Sequence, residues 1–132
     1  MTNDLPMELG RDLDARIAEL IFGERVFKTE GGNYWVIDAD DNILSDKYPP
    51  GGLVFPFSTD LAAAWKLVKH MQGLGYRLVL IDTDSSHETW RAEFQASGRV
   101  GGLLGYGESS IPSHAITLAA LNAVQRTRGE VL

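Results

Sequence analysis

Apolar residues recur along this chain at two spacings, and the switch between them sets out the elements. Leu61, Ala64, Trp65, Val68 and Met71 fall at helical spacing, while Lys66, Lys69 and His70 lie off that stripe. Ser58, Thr59 and Asp60 precede the run and offer cap oxygens, and Gly73 and Gly75 end it. An earlier helix is predicted from about Leu9 to Phe22, carried by Leu13, Ile17, Leu20 and Ile21 and closed by Gly23. Asp12 and Asp14 stand in its early turns, where acids suit the helix dipole. A last helix is predicted to begin near Ser110 or Pro112 and to end near Thr127, with Ile116, Ala119, Ala120, Ala123 and Val124 on one face.

Between the helices the period shortens to two or disappears. Tyr34-Trp35-Val36-Ile37 is rich in β-formers, and a turn at Asp38-Ala39-Asp40-Asp41-Asn42 returns the chain to Ile43-Leu44 as a partner strand. Val26-Phe27 is too short to assign. Tyr76 to Ile81 is apolar on both faces, which places it inside the sheet. From Glu88 to Ala96 the chain alternates, Trp90, Ala92, Phe94 and Ala96 against Thr89, Arg91, Glu93 and Gln95, a half-buried antiparallel strand. Gly98 to Gly107 holds five glycines and reads as the most flexible segment. The order is helix, two strands, helix, two strands, helix. This predicts an α+β fold, a layered α/β sandwich with a mainly antiparallel sheet and three helices. One domain is expected over residues 11–128, behind a disordered tail at 1–10. Trp65, Trp90 and Ile116 are expected to be buried together.

Composition narrows the picture in a few places. The chain has 132 residues, room for one domain with a core of its own. It has no cysteine, which excludes disulfides, thiolate metal sites and a cysteine nucleophile. The formal charge of -6 argues against sequence-independent nucleic-acid binding, which needs Lys and Arg to neutralise phosphates. No apolar run reaches the roughly 20 residues of a membrane span, and the amino terminus lacks the pattern of a signal peptide.

Three groups of residues resemble small phage-encoded proteins of the phage ABA sandwich domain family. They are the unit from Pro56 through Ser58-Thr59-Asp60 to Trp65, the Trp90-x-Ala92-x-Phe94 strand, and the run from Pro112 through Ala115-Ile116 to Ala119-Ala120-Leu121. The aromatic hairpin at Tyr34-Trp35, followed by Asp41-Asn42, also fits. The resemblance spans about residues 12–125. It implies an α/β/α-type layered fold and a phage or prophage origin, and hence the cytoplasm of a bacterial host. The family has no established catalytic activity, so no functional residue carries over. The glycine stretch at 98–107 departs from its pattern.

The candidate chemistry is sparse. Asp38-Ala39-Asp40-Asp41-Asn42 starts like a calcium loop, but Ile43 and Pro49 stand where such a loop needs glycine and glutamate, so a hairpin turn is expected. Asp82, Asp84 and His87 match no established metal spacing and read as a solvated turn. No metal and no cofactor is expected. Gly107-Glu108-Ser109-Ser110-Ile111 only approximates a nucleophile elbow, and no catalytic residue is assigned. Within the glycine stretch, Val100, Leu103, Leu104 and Tyr106 are apolar side chains on a flexible segment, which suggests a surface for a partner or a second copy of the chain. The alternatives are a plain flexible connector and a ligand site, the latter with Gly101 and Gly102 offering backbone N–H groups to an anion and Arg77, Arg91 and Arg99 countering its charge. Two functions are therefore expected in order. The first is a non-enzymatic phage accessory protein that binds, and most plausibly inhibits, a host protein such as a defence component. The second is a small-ligand or nucleotide-signal sponge.

Overall fold

The computed structural model describes residues 10–31, 33–40, 54–84, 89–96 and 103–127. The elements run α1 (Arg11–Leu20), β1 (Arg25–Lys28), β2 (Tyr34–Ile37), α2 (Leu61–Gly73), β3 (Tyr76–Asp84), β4 (Thr89–Ala96), β5 (Leu103–Ser109) and α3 (Pro112–Thr127). The fold is α+β with three helices. The strands form two antiparallel sheets rather than one, β1-β2 and β3-β4-β5.

The centre of the molecule is α3, not α2. Apart from the exposed Asn122 and the half-covered His114, the residues from Ser113 to Val124 are buried around the whole circumference of α3. A helix apolar all round must be enclosed on every side. One side of α3 lies on β4 and β5. There Gly105 and Gly107 are buried, and a Cβ on either would run into helix backbone, 2.8 Å from the Ala119 carbonyl and 2.6 Å from the Ala115 carbonyl respectively. Glycines at every second strand position meet alanines at every fourth helix position, and the two backbones close to contact. The other side meets α1 and α2. Here the Thr117 hydroxyl reaches both the Phe57 carbonyl at 3.0 Å and the Ser113 carbonyl at 2.7 Å with its one proton, and Ser113 Oγ donates to the Ser58 carbonyl at 2.9 Å.

Those bonds belong to a buried polar junction. The Ser58 N–H donates to Asp14 Oδ1 at 2.7 Å, and the Ser58 hydroxyl accepts from the Gly10 N–H at 2.8 Å. Burial pushes the Asp14 carboxyl up to about 6, against the opposing pull of its hydrogen bonds with Ser58 and of the nearby His114 charge. One serine thus joins the start of α1, the turn before α2 and α3. Capping of α2 falls to Asp60, which accepts from the Ala62 N–H at 3.0 Å. Gly10, expected at the end of a tail, is held by Ser58. The rest of that tail, 1–9, lies outside the described residues.

Several expectations need correction. Helix α2 buries Ala63, Ala64, Leu67, Val68 and Met71. Its face is therefore turned by about one position from the expected stripe, leaving Trp65 49% and Leu61 52% exposed. Trp65 is not in the core; Ile116 is, and Trp90 packs against it half-buried. β2 pairs with β1, which the short Val26-Phe27 run concealed. Ile43-Leu44 lies outside the described residues. β3 is an edge strand and β4 is the central one. The apolar Val79 and Ile81, which suggested an inner strand, stand on the open side of the sheet. Half of the expected glycine loop is β5. Gly23 and Gly75 do take the left-handed conformation expected after α1 and α2, with φ of 68° and 97°.

Candidate functional site: the open face of the three-stranded sheet

Side chains alternate across a strand, so the register divides the sheet into two faces. Trp90, Ala92 and Phe94 of β4 stand beside Ser109, Gly107 and Gly105 of β5 and beside Asp82, Leu80 and Leu78 of β3, on the side of α3. The opposite face carries Arg77, Val79 and Ile81 from β3, Arg91, Glu93 and Gln95 from β4, and Leu103, Tyr106 and Glu108 from β5. Arg77, Ile81, Tyr106 and Glu108 are exposed on it.

A continuous chain of bonds crosses this face. Arg77 Nη2 donates to Gln95 Oε1 at 2.8 Å, Gln95 Nε2 donates to Glu93 Oε1 at 3.1 Å, and Arg91 Nε donates to Glu93 Oε2 at 2.7 Å. The Arg91 guanidinium lies 4.0 Å from the centre of the Tyr106 ring and 3.9 Å from Glu108. The Arg91 hydrogen bond holds the Glu93 carboxyl below its usual range. Ile81, Val79 and Leu103 add apolar surface beside this network. The result is a surface held by its own bonds, with Arg91 paired to Glu93 and Glu108 and Arg77 held by Gln95. Such a surface can dock on a protein without first ordering its side chains.

The register brings together residues that the sequence assigned to two different sites. Arg77 and Arg91 share this face with Leu103 and Tyr106. Leu104 falls at the bulge between the Phe94 and Gln95 pairings and packs against the core instead. Val100, Arg99, Gly101 and Gly102 lie outside the described residues. Both described arginines are engaged, Arg77 by Gln95 and Arg91 by Glu93 and Tyr106, so a phosphate here would compete with partners in place. Ile81, Glu93, Gln95 and Glu108 were not singled out from the sequence. The polar half of the β4 alternation was the signal that could have found Glu93 and Gln95.

The other candidate chemistry resolves into local structure. Asp38 Oδ1 accepts from the Asp40 N–H at 2.8 Å, an Asx turn, and 41–50 lies outside the described residues. Among the described residues no three acidic or histidine side chains group as metal ligands would, and His87 lies outside them. Ser109 Oγ accepts from the Ile111 N–H at 3.1 Å, a serine turn just before α3, and lies 2.9 Å from His114 Nδ1. No helix among the described residues is long and apolar enough to cross a membrane.

The molecule is thus an α+β domain built on a buried helix, with one sheet face covered and the other presented outward. In fold it is similar to a phage protein from Bacillus cereus whose crystal structure is known. The TM-score is 0.55 at 22% identity, over 93% of this chain and 97% of that one. No family model matches the chain, and no curated protein matches it.

Proposed function

We propose that this chain is a phage-encoded accessory protein, related to the phage ABA sandwich domain family, that acts by binding rather than by catalysis. Its partner is a host protein, most plausibly a component of antiviral defence that it inhibits in the bacterial cytoplasm. The observation that carries the reading is the open sheet face, where Ile81, Leu103 and Tyr106 surround the Arg77–Gln95–Glu93–Arg91 chain. Exposed aromatic and arginine side chains on a rigid support are what protein interfaces concentrate. The likeness in fold to a phage protein suggests the biological setting.

The test is a triple replacement, Ile81→Ser, Leu103→Ser and Tyr106→Ser, with stability and association measured on the same sample. Leu104 is left intact because it packs inward. The expected result is a stability within about 1 kcal/mol of the parent, as for surface changes, together with loss of a partner that the parent retains from bacterial lysate. Self-association is followed in parallel by sedimentation. A variant that loses stability alone, or retains the same partner as the parent, refutes the assignment of this face.

A further inference from the structure

Across α3 from the sheet, α1, β2, α2 and the segment leading into α2 enclose a partly open cavity of about 210 Å³. Its walls are apolar: Ala18, Phe22, Val36, Val54, Phe55 and Phe57. Phe22 and Phe57 stack on each other, 10° apart with ring centres 5.3 Å from each other, and both line the cavity. His70 backs Phe22 with ring centres 4.2 Å apart and lies 3.3 Å from the Ile21 carbonyl, which fixes that wall. Phe55 is tilted against Phe57 at 5.9 Å.

The lining includes two charged side chains, Lys66 and Glu24. Lys66 reaches over the Phe55 ring, its Nζ 5.3 Å from the centre, and no ion pair engages it among the described residues. Lys66 is the residue of α2 that lines the cavity.

We propose that this cavity binds a small planar aromatic acid, one or two fused rings bearing a carboxylate. The ring lies along the Phe22–Phe57 wall, and the carboxylate takes the Lys66 ammonium. The size fits, since a dry apolar cavity of roughly 150 Å³ is enough to hold benzene. A mostly apolar pocket with a few placed polar or charged groups is the usual form of a small-ligand site. This site does not depend on the sheet face and stands or falls without it.

Indole-3-acetate and indole share a ring and differ in the acid, so they serve as probes in thermal-shift and calorimetric titrations of the full chain. Both are expected to raise the melting temperature, because each binds the folded state alone. Indole-3-acetate is expected to bind more tightly. Lys66→Met should remove that advantage, about twofold to fivefold for a solvent-accessible charge contact, and leave indole binding unchanged. Ala18→Leu should fill the cavity and abolish binding of both probes. Three results would each overturn the proposal: no response to either probe up to its solubility limit, an unchanged preference in Lys66→Met, or undiminished binding in a folded Ala18→Leu. The first result also covers the case in which the chain's own residues or a protein partner's side chain fills the space.

Discussion

Replacing Gly105 or Gly107 with alanine should destabilise this protein, and no truncation on the facing helix should restore it. At Gly105 an added Cβ meets the backbone of Ala123 and comes within 2.8 Å of the Ala119 carbonyl. At Gly107 it comes within 2.6 Å of the Ala115 carbonyl and 2.8 Å of the Ala119 nitrogen. Since the obstructing atoms at Gly105 are main chain, Ala123→Gly removes none of them, and α3 must move off β5 as a body. Overpacking of this kind costs about 1–3 kcal/mol. For a domain of this length that corresponds to a fall of roughly 3–10 °C in melting temperature. Gly73 supplies the control, because it stands in the last turn of α2 with nothing within 4 Å of its Cβ position. Gly73→Ala should gain about 0.5 kcal/mol from helix propensity and the reduced freedom of the unfolded chain. Urea unfolding of Gly105→Ala, Gly107→Ala, Gly73→Ala and the double variant Gly105→Ala/Ala123→Gly gives the four values. If the first two unfold like the parent, β5 does not press on α3 and the stretch is a loose connector. If Ala123→Gly restores Gly105→Ala, side-chain crowding rather than backbone contact sets the spacing.

Further outcomes follow from the buried junction and the two helices around it. The folded state holds the Asp14 proton more tightly than the unfolded chain between the ordinary 3.8 and about 6, so this group favours folding most at low pH and loses that contribution as pH rises through 6. The gap is worth about 3 kcal/mol at ~1.4 kcal/mol per pH unit. Asp14→Asn, which keeps an acceptor for the Ser58 N–H, should gain on the parent by up to that amount between pH ~4 and pH ~8 in urea titrations; a constant difference would show that Asp14 ionises normally. Thr117→Val should cost about 1–3 kcal/mol, since it strands the buried Phe57 carbonyl, and calorimetric melting checks it. Trp65→Ala should cost below about 1.5 kcal/mol, well short of a buried tryptophan's 3–5 kcal/mol, because half of the ring is already exposed.

The sequence made the helices and the central strand legible because their patterns are local. In β4 the alternation of Trp90, Ala92 and Phe94 with Arg91, Glu93 and Gln95 has one phase, and its two faces could be read directly. Helix α2 admits two phases one residue apart, and the size of Trp65 drew the reading toward the wrong one. β3 misled for another reason. Val79 and Ile81 imply burial on both faces, yet a strand's place at an edge depends on which strands pair with it, and no local pattern records that. Gly105 and Gly107 were read as freedom when they mark closeness. Their spacing of two, set against Ala115, Ala119 and Ala123 at spacings of four, was present in the chain, but its meaning required knowing that these segments touch. The open face was legible in pieces: Arg77 and Arg91 for one purpose, Leu103 and Tyr106 for another. Only the register of β4 between its neighbours joins them.

Asn122, exposed in the otherwise enclosed middle of α3, bears on how this sheet can grow. Its side-chain amide donates to the Tyr106 carbonyl at 2.8 Å, midway along β5. An edge strand offers its unpaired backbone groups to any strand that drifts alongside, and here one helix side chain already occupies that acceptor. Among the described residues β3 has no such stopper, and its Leu80 and Ile81 are 37% and 38% exposed. Were copies to pair by strand addition, β5 would be the less receptive edge at this carbonyl. Two copies joined β3 to β3 would make a six-stranded sheet with a β5 at each rim, an arrangement that closes on itself. A chain with one receptive edge forms pairs; a chain with two forms fibres. Asn122→Ala removes the amide that separates those two behaviours.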